Sequence, residues 1–359
     1  MCRYSRLAAI LIIVFSLSSC SEIAQGRAEI DKLFITRVIS IDEAEGGKIM
    51  VTLTTKSIST GGGGQESKET SENIIAYGET LADAHKNLIV HTDKRPTFGH
   101  TEYILFGEAI AKKGIRPYLD YISRYNEFRY NAKVYIVKGT LANSLVKMSS
   151  SSKLFVGDRL SSNEENAVLT SLSRAVSLNE VLLIFDNKNL DLFVPSVEMS
   201  SAVVTGESDA KFDVLLRGYA LFNKDKLSYF TSMEEARGIN WMMNRIGSGL
   251  ILVRAENGEE VSLTIIKGKT KIKPEIVGNE LHCKVEIAFT TNISEIMGTE
   301  SLLDKKSIDN LITLQNLAIK KEVEKTIGIA QKNNSDHFSI ISKFIIKYPK
   351  MRDYFMENW

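Results

Sequence analysis

Residues 33–41 and 48–56 are two runs rich in apolar and β-branched residues around 43–47, a stretch rich in turn-forming residues, and this predicts a β-hairpin. A further strand is predicted at 73–77. At Thr80 the period changes to that of a helix. Leu81, Ala84, Leu88 and Ile89 fall on one face, Asp83, Lys86 and Asn87 on the other, and Thr80 is placed to cap the N-terminus. The pattern continues as a strand at 102–106, a short helix at 108–113 that Gly114 stops, and a second helix with Pro117 in its first turn and an apolar stripe of Tyr118, Leu119 and Ile122. A strand at 132–137 follows. The serine-rich piece 148–153 reads as an exposed turn.

The polar stretch 200–209 separates two richly patterned regions and is taken as the main boundary. Beyond it lie a strand at 212–222, a turn at Asp225, and a capping box Thr231-x-x-Glu234 opening a helix with Ala236, Ile239, Met242 and Met243. Strands are predicted at 250–254, 260–267 and 281–290. A long helix follows within 304–332, with Ile308, Leu311, Ile312, Leu314, Leu317 and Ala318 on its apolar side. The fold class is α+β, a mixed α/β chain of two to three domains, each a mixed β-sheet flanked by helices, with a long helix near the C-terminus. The expected domains are 20–199, with a subdivision near 150, and 210–359.

The first nineteen residues stand apart from this pattern. Arg3 and Arg6 form a positive start, and residues 7–17 form an apolar run suited to an export signal and too short to span a bilayer comfortably. Leu17-Ser18-Ser19-Cys20 then resembles the bacterial lipobox, which predicts cleavage between Ser19 and Cys20 and a diacylglycerol thioether with N-acylation on Cys20. Of the 3 cysteines, Cys2 leaves with the signal and Cys20 carries lipid, so Cys283 is the one thiol remaining and no disulfide forms within the mature chain. Cys283, in an alternating stretch, is expected to be a small core residue.

Composition adds exclusions. With 359 residues, 43% hydrophobic and 25% charged, the chain is globular, neither disordered nor a polytopic membrane protein. Its formal net charge of +1 falls to −1 when Arg3 and Arg6 are removed, so no basic excess points to nucleic acid. Several motifs fail on their chemistry. The glycine run 61–64 lacks the Gly-Lys-Ser/Thr ending and the helix of a phosphate loop, and Gly268-Lys269-Thr270 is followed by a strand-like sequence. Ser150-x-x-Lys153 lacks the companion elements of a serine acyl-enzyme. The 5 histidines, His85, His91, His100, His282 and His337, form no metal-ligand spacing. His100 stands in the segment Arg95, Pro96, Gly99, His100 and Glu102, which reads as a shaped loop. Pro96 fixes one backbone angle, Gly99 is expected to take a conformation denied to other residues, and Arg95 and Glu102 are expected to pair across the turn.

A family resemblance runs through these residues. Asp93-Lys94-Arg95-Pro96, Gly99-His100-Thr101-Glu102, Gly107-Glu108 and Gly114-Ile115-x-Pro117 resemble the N-terminal region of the Ger(x)C spore germination lipoproteins. Ile41-Asp42, Gly218 to Phe222, Asp225-Lys226-Leu227, Gly238, Trp241, Lys271 to Pro274, Asp336-x-Phe338 and Tyr348-Pro349 are similar in the same order. The resemblance implies a fold of small mixed α/β domains and a receptor subunit rather than an enzyme. It also implies anchoring through Cys20 on the outer face of the spore inner membrane, with membrane lipid and the A-type and B-type subunits of a nutrient germinant receptor as partners. The competing reading is a solute-binding lipoprotein of an ABC importer, with a ligand cleft between two lobes.

Overall fold

The computed structural model describes residues 30–59, 68–151, 155–187, 189–202, 211–255, 257–278, 280–298 and 304–358. The signal segment, Ser19, Cys20, the glycine run, Lys153 and Trp359 lie outside them.

The predicted hairpin forms as β2 (Val38–Glu43) and β3 (Ile49–Ser59), preceded by a short β1 (Leu33–Ile35) and extended by β4 (Lys68–Gly78). Next come α1 (Leu81–Val90), β5 (Arg95–Thr97), β6 (Tyr103–Gly107), α2 (Glu108–Lys113), α3 (Arg116–Arg124), β7 (Lys133–Lys138), α4 (Ala142–Ser151) and α5 (Val156–Thr170). The first half closes with β8 (Val176–Ser177), α6 (Leu178–Asp186), β9 (Phe193–Ala202), β10 (Lys211–Asn223) and β11 (Lys226–Phe230). One sheet collects most of these strands in the order β11-β10-β9-β7-β6-β2-β3-β4, with β8 beside β7. Its centre, β9-β7-β6-β2, is parallel and both flanks are antiparallel. All of β6 is buried, as a central parallel strand covered on both faces must be. Helices α1, α2, α3 and α6 cover one face over Ile41, Leu53, Ile104 and Phe106. Helices α4 and α5 cover the other over Leu105, Tyr135 and Val137. Residues 200–202 of the polar interval are the end of β9, which pairs with β10 in the same sheet, and the rest of the interval lies outside the described residues.

Asp42 sits buried in this sheet, and its two carboxylate oxygens accept the N–H groups of Ala142 and Asn143, each at 2.8 Å. It thus caps α4 from a distant strand. Burial raises its pKa above the ordinary carboxylate value, and the two N–H donors pull in the opposite direction.

The second half contains α7 (Met233–Met242), β12 (Gly249–Arg254), β13 (Glu260–Val277), β14 (Glu280–Met297), α8 (Lys305–Lys332), α9 (Ile340–Lys347) and α10 (Arg352–Asn358). The strands form an antiparallel sheet in the order β12-β13-β14. Its inner face, with Ile251, Val253, Val261, Leu263 and Ile265, packs on α7 and α8 around the buried Trp241. Gly238 allows α7 to lie directly on α8: a Cβ there would overlap Thr326 Oγ1 and stand 2.5 Å from the Glu322 carbonyl oxygen. Beside it Arg237 forks onto the Glu322 carboxylate and donates to Leu250 O at 2.7 Å.

Four expectations are corrected by these contacts. The capping box is Ser232 with Glu235, one residue later than Thr231 with Glu234; Thr231 is buried and its hydroxyl accepts the Tyr219 N–H at 2.9 Å. Ile89 is exposed, since His85 takes the inward position beside Leu88. In α8 the buried line is Leu311, Ile319, Val323, Thr326 and Ala330, whereas Ile308, Ile312 and Leu317 face outward. The serine-rich piece is not a turn up to Ser151, because α4 continues through it.

Several groups join the two halves, among them Ser171, whose carbonyl accepts from Asn240 Nδ2 at 2.8 Å, and the Asp191 carboxylate. Asp191, just before β9, accepts the Asp336 N–H at 2.8 Å and the Lys224 N–H at 3.0 Å on its side chain. Its backbone carbonyl accepts a proton from His337 Nδ1 at 3.1 Å. Asp336 in turn accepts the N–H groups of Phe338 and Ile341, which starts α9. His337 is buried, and that burial lowers its pKa below the ordinary 6.5 despite the nearby Asp191 and Asp336. The unfolded chain therefore binds this proton first, and the stability associated with the neutral ring is complete above pH 6.5 and lost as pH falls below it. Denaturant unfolding between pH 7.5 and 5.5 should show the midpoint falling in the native sequence. His337→Gln should start less stable at pH 7.5 and show a shallower fall, and equal slopes in the two proteins would remove His337 from the acid response.

Candidate functional site

The segment predicted as a shaped loop begins as β5, which lies parallel to β1 with Leu33 opposite Arg95, Phe34 opposite Pro96 and Ile35 opposite Thr97. Pro96 is buried in this short ladder. A turn follows, closed by Thr101 N–H to Phe98 O at 3.0 Å, and Glu102 N–H then reaches Arg37 O at 2.8 Å to lead into β6. Phe98 fixes the turn. Its buried ring stacks on Phe128 at 4.7 Å and meets His85 and Tyr125 edge-on at 5.0 and 5.6 Å. His85 Nδ1 is 2.7 Å from the Tyr121 hydroxyl, and burial holds this histidine below its ordinary pKa, with Glu127 opposing. The four-residue spacing of Tyr121 and Tyr125, which the stripe of Tyr118, Leu119 and Ile122 left out, is the signal in the sequence that points to this cluster.

Two expected features of the loop are absent. Arg95 and Glu102 do not pair: Glu102 binds Arg37 at 2.6 Å, and Arg95 lies 3.6 Å from Glu127. Arg37 precedes β2, which pairs with β6, so it stands beside Glu102 at the entry to β6. Gly99 does not hold a left-handed backbone conformation, and a Cβ there would make ordinary contact with Glu127 O at 3.8 Å. His100 is exposed.

The loop forms one wall of an open cleft of about 480 Å³ lined by Phe34, Arg37, Lys56, Glu72, His100 and Glu102, among others. Its charges neutralise one another: Arg37 with Glu102, Lys56 with Asp158 at 2.7 Å, and Lys94 with Glu72 at 2.9 Å. A second groove, about 540 Å³, lies between β14, the end of α8 and α9, and includes Cys283, Val285, Gln331, Asp336 and Phe338. Cys283 is exposed here, contrary to the expected core position, because it lies on the part of the β13–β14 ribbon that extends past β12. Partial burial raises its thiol pKa, and the Asp336 carboxylate adds to the effect, which disfavours the thiolate. Among the described residues no group of three His, Cys, Asp or Glu side chains is placed to hold a metal ion.

This architecture and order of motifs match two family profiles in succession. Residues 26–199 match the spore germination protein N-terminal domain, and residues 217–359 match the spore germination B3/GerAC-like C-terminal domain. The chain belongs to the GerAC-like family of spore germination proteins. Spore germination protein KC of Bacillus subtilis (strain 168) is 24% identical over 100% of this chain and 91% of its own length. Spore germination protein B3 of the same organism is 21% identical over 91% of this chain and 84% of its own. The crystal structure of the GerBC protein has a TM-score of 0.55 over 89% of this chain and 91% of that one, at 17% identity, a likeness of fold.

Within this GerAC-like protein, the loop owes its shape to Phe98. Phe98→Ala should lower unfolding stability by about 3–5 kcal/mol, the usual range for a buried ring, while Gly99→Ala and His100→Ala should stay within about 0.5 kcal/mol of the parent. Denaturant titration of the three variants checks this, and a large loss for Gly99→Ala with little for Phe98→Ala would reverse the assignment.

Proposed function

We propose that this germination protein is a lipid-anchored, non-enzymatic C subunit of a spore nutrient germinant receptor. It is held on the outer face of the spore inner membrane through acylated Cys20 and works by contact with membrane-embedded A-type and B-type subunits. The observation that carries this reading is the placement of both family domains directly behind the lipobox-like Leu17-Ser18-Ser19-Cys20. A diacylglyceryl group with a third acyl chain suffices for stable anchoring without a spanning segment, and no helix among the described residues is long and apolar enough to cross a membrane. The two clefts agree with a contact role. The first has its charges satisfied internally, and the second carries a thiol biased toward its protonated form.

Replacement of Cys20 with Ala should abolish incorporation of radioactive palmitate and shift the protein to an unprocessed or non-membrane form. Persistent labelling of the Cys20→Ala protein would exclude Cys20 as the anchor.

A further inference from the structure

The distal half of the β13–β14 ribbon presents a row of lysines outside both clefts. Lys267, Lys269, Lys271 and Lys273 alternate with Gly268, Thr270 and Ile272, so all four share one face of β13. The opposite face points inward: a Cβ on Gly268 would stand 2.5 Å from the Trp241 ring, and Ile272 packs against the core. The four lysines are exposed. Lys267 lies opposite Thr290 and Lys269 opposite Ala288, both uncharged. Glu286, opposite Lys271, is already bound to Lys273 at 2.7 Å and Lys284 at 3.1 Å. Besides Glu286, the acidic residues of this face stand at the margins, with Glu275 and Glu280 near the ribbon's turn and Glu260 and Glu295 near its base.

Large aliphatic side chains accompany this row. A register shift between Ile265 and Lys267 leaves Ile266 49% exposed next to Lys267. On β12, Leu250 and Leu252 alternate outward and are 52% and 58% exposed. A solvated sheet face accounts for the lysines but not for three aliphatic residues beside them. Together they have the composition of a surface that meets an anionic bilayer, where aliphatic groups enter the headgroup boundary and ammonium groups meet phosphates.

We infer that this outer sheet face docks on the anionic surface of a lipid bilayer. An array of mobile lipid phosphates fits lysines that recur about every 6.6 Å along a strand, since no fixed partner register is required. The position also suits the tether, and only in this respect does the inference rest on the Cys20 anchor. Ten residue-to-residue steps lead from Cys20 to Ile30, a reach of about 33 Å when extended. Helix α5 bridges the first cleft, at Asp158, and β12, where Thr170 O would lie 3.0 Å from a Gly249 Cβ; that distance is about 18 Å along the helix.

The test is amine footprinting by mass spectrometry of the full lipidated protein on protein-free vesicles, either of phosphatidylcholine alone or with phosphatidylglycerol. Lys267, Lys269 and Lys271 should react about tenfold less on the anionic vesicles, and high salt should abolish the difference. The mass of the N-terminal peptide reports Cys20 acylation independently. Charge-dependent protection of a chain lacking the lipid would sustain the docking face and fail the anchor. Equal reactivity on both vesicle types with Cys20 acylated would overturn the inference. Protection seen only on native spore membranes would also overturn it, assigning the face to an acidic protein partner.

Discussion

The two halves of the molecule are held by a shared core, Phe193, Tyr219 and Leu221 against Ile239, Trp241 and Phe338, and beside it by the short polar junction around Asp191. Its carboxylate is shared between the Asp336 and Lys224 N–H groups, and its carbonyl is bound by His337. These bonds join the start of β9, inside the large mixed sheet, to the turn that ends α8 and starts α9. Asp191 is half-buried, and each backbone N–H it accepts would lose its partner if the carboxylate were removed. The junction fixes the end of α8, whose inner line packs in the shared core, and α8 carries α7 and the small sheet through Gly238 and the Arg237–Glu322 pair. Breaking a buried pair of this kind by removing one partner typically costs about 3–5 kcal/mol.

The rigid frame leaves two surfaces of different character. At the β1–β5 end the charges pair internally, so the cleft gains little by binding a small ion. At the β12–β13–β14 end one sheet face packs on α7 and α8 near its base and the other carries lysines and aliphatic residues. A protein that acts by contact with neighbours in or on a membrane needs such an asymmetric body more than an enclosed reaction chamber. The chemistry of the buried groups agrees: Asp42, Asp336 and His337 each serve a backbone N–H or carbonyl within the fold.

Much of this was legible from periodicity because the local signals were strong. Thr80 caps α1 through the Asp83 N–H, Pro117 stands in the first turn of α3, and Gly114, with φ 124°, ends α2. What sequence could not supply was the choice between equivalent local options made by distant partners. Thr231 and Ser232 both offer a capping hydroxyl, and Tyr219 N–H claims the first. Glu102 has a cation in either direction, and Arg37, supplied by the neighbouring strand, takes it. The loop's aromatic anchor, Phe98 with Tyr121, Tyr125 and Phe128, went unread in the sequence because nothing local showed that α3 and the loop converge. The inward line of α8 was equally hidden, since Ile308, Ile312 and Leu317 are as apolar as the residues that α7 and β12 bury.

The central claim is that this chain works through membrane-subunit contacts. Crosslinking in dormant spores with the chain at native abundance, followed by mass spectrometry of the captured proteins, tests it most directly. The receptor role predicts recovery of multi-spanning A-type and B-type subunits, whereas recovery of an ATPase and permease pair without them would contradict it and favour a solute-binding lipoprotein.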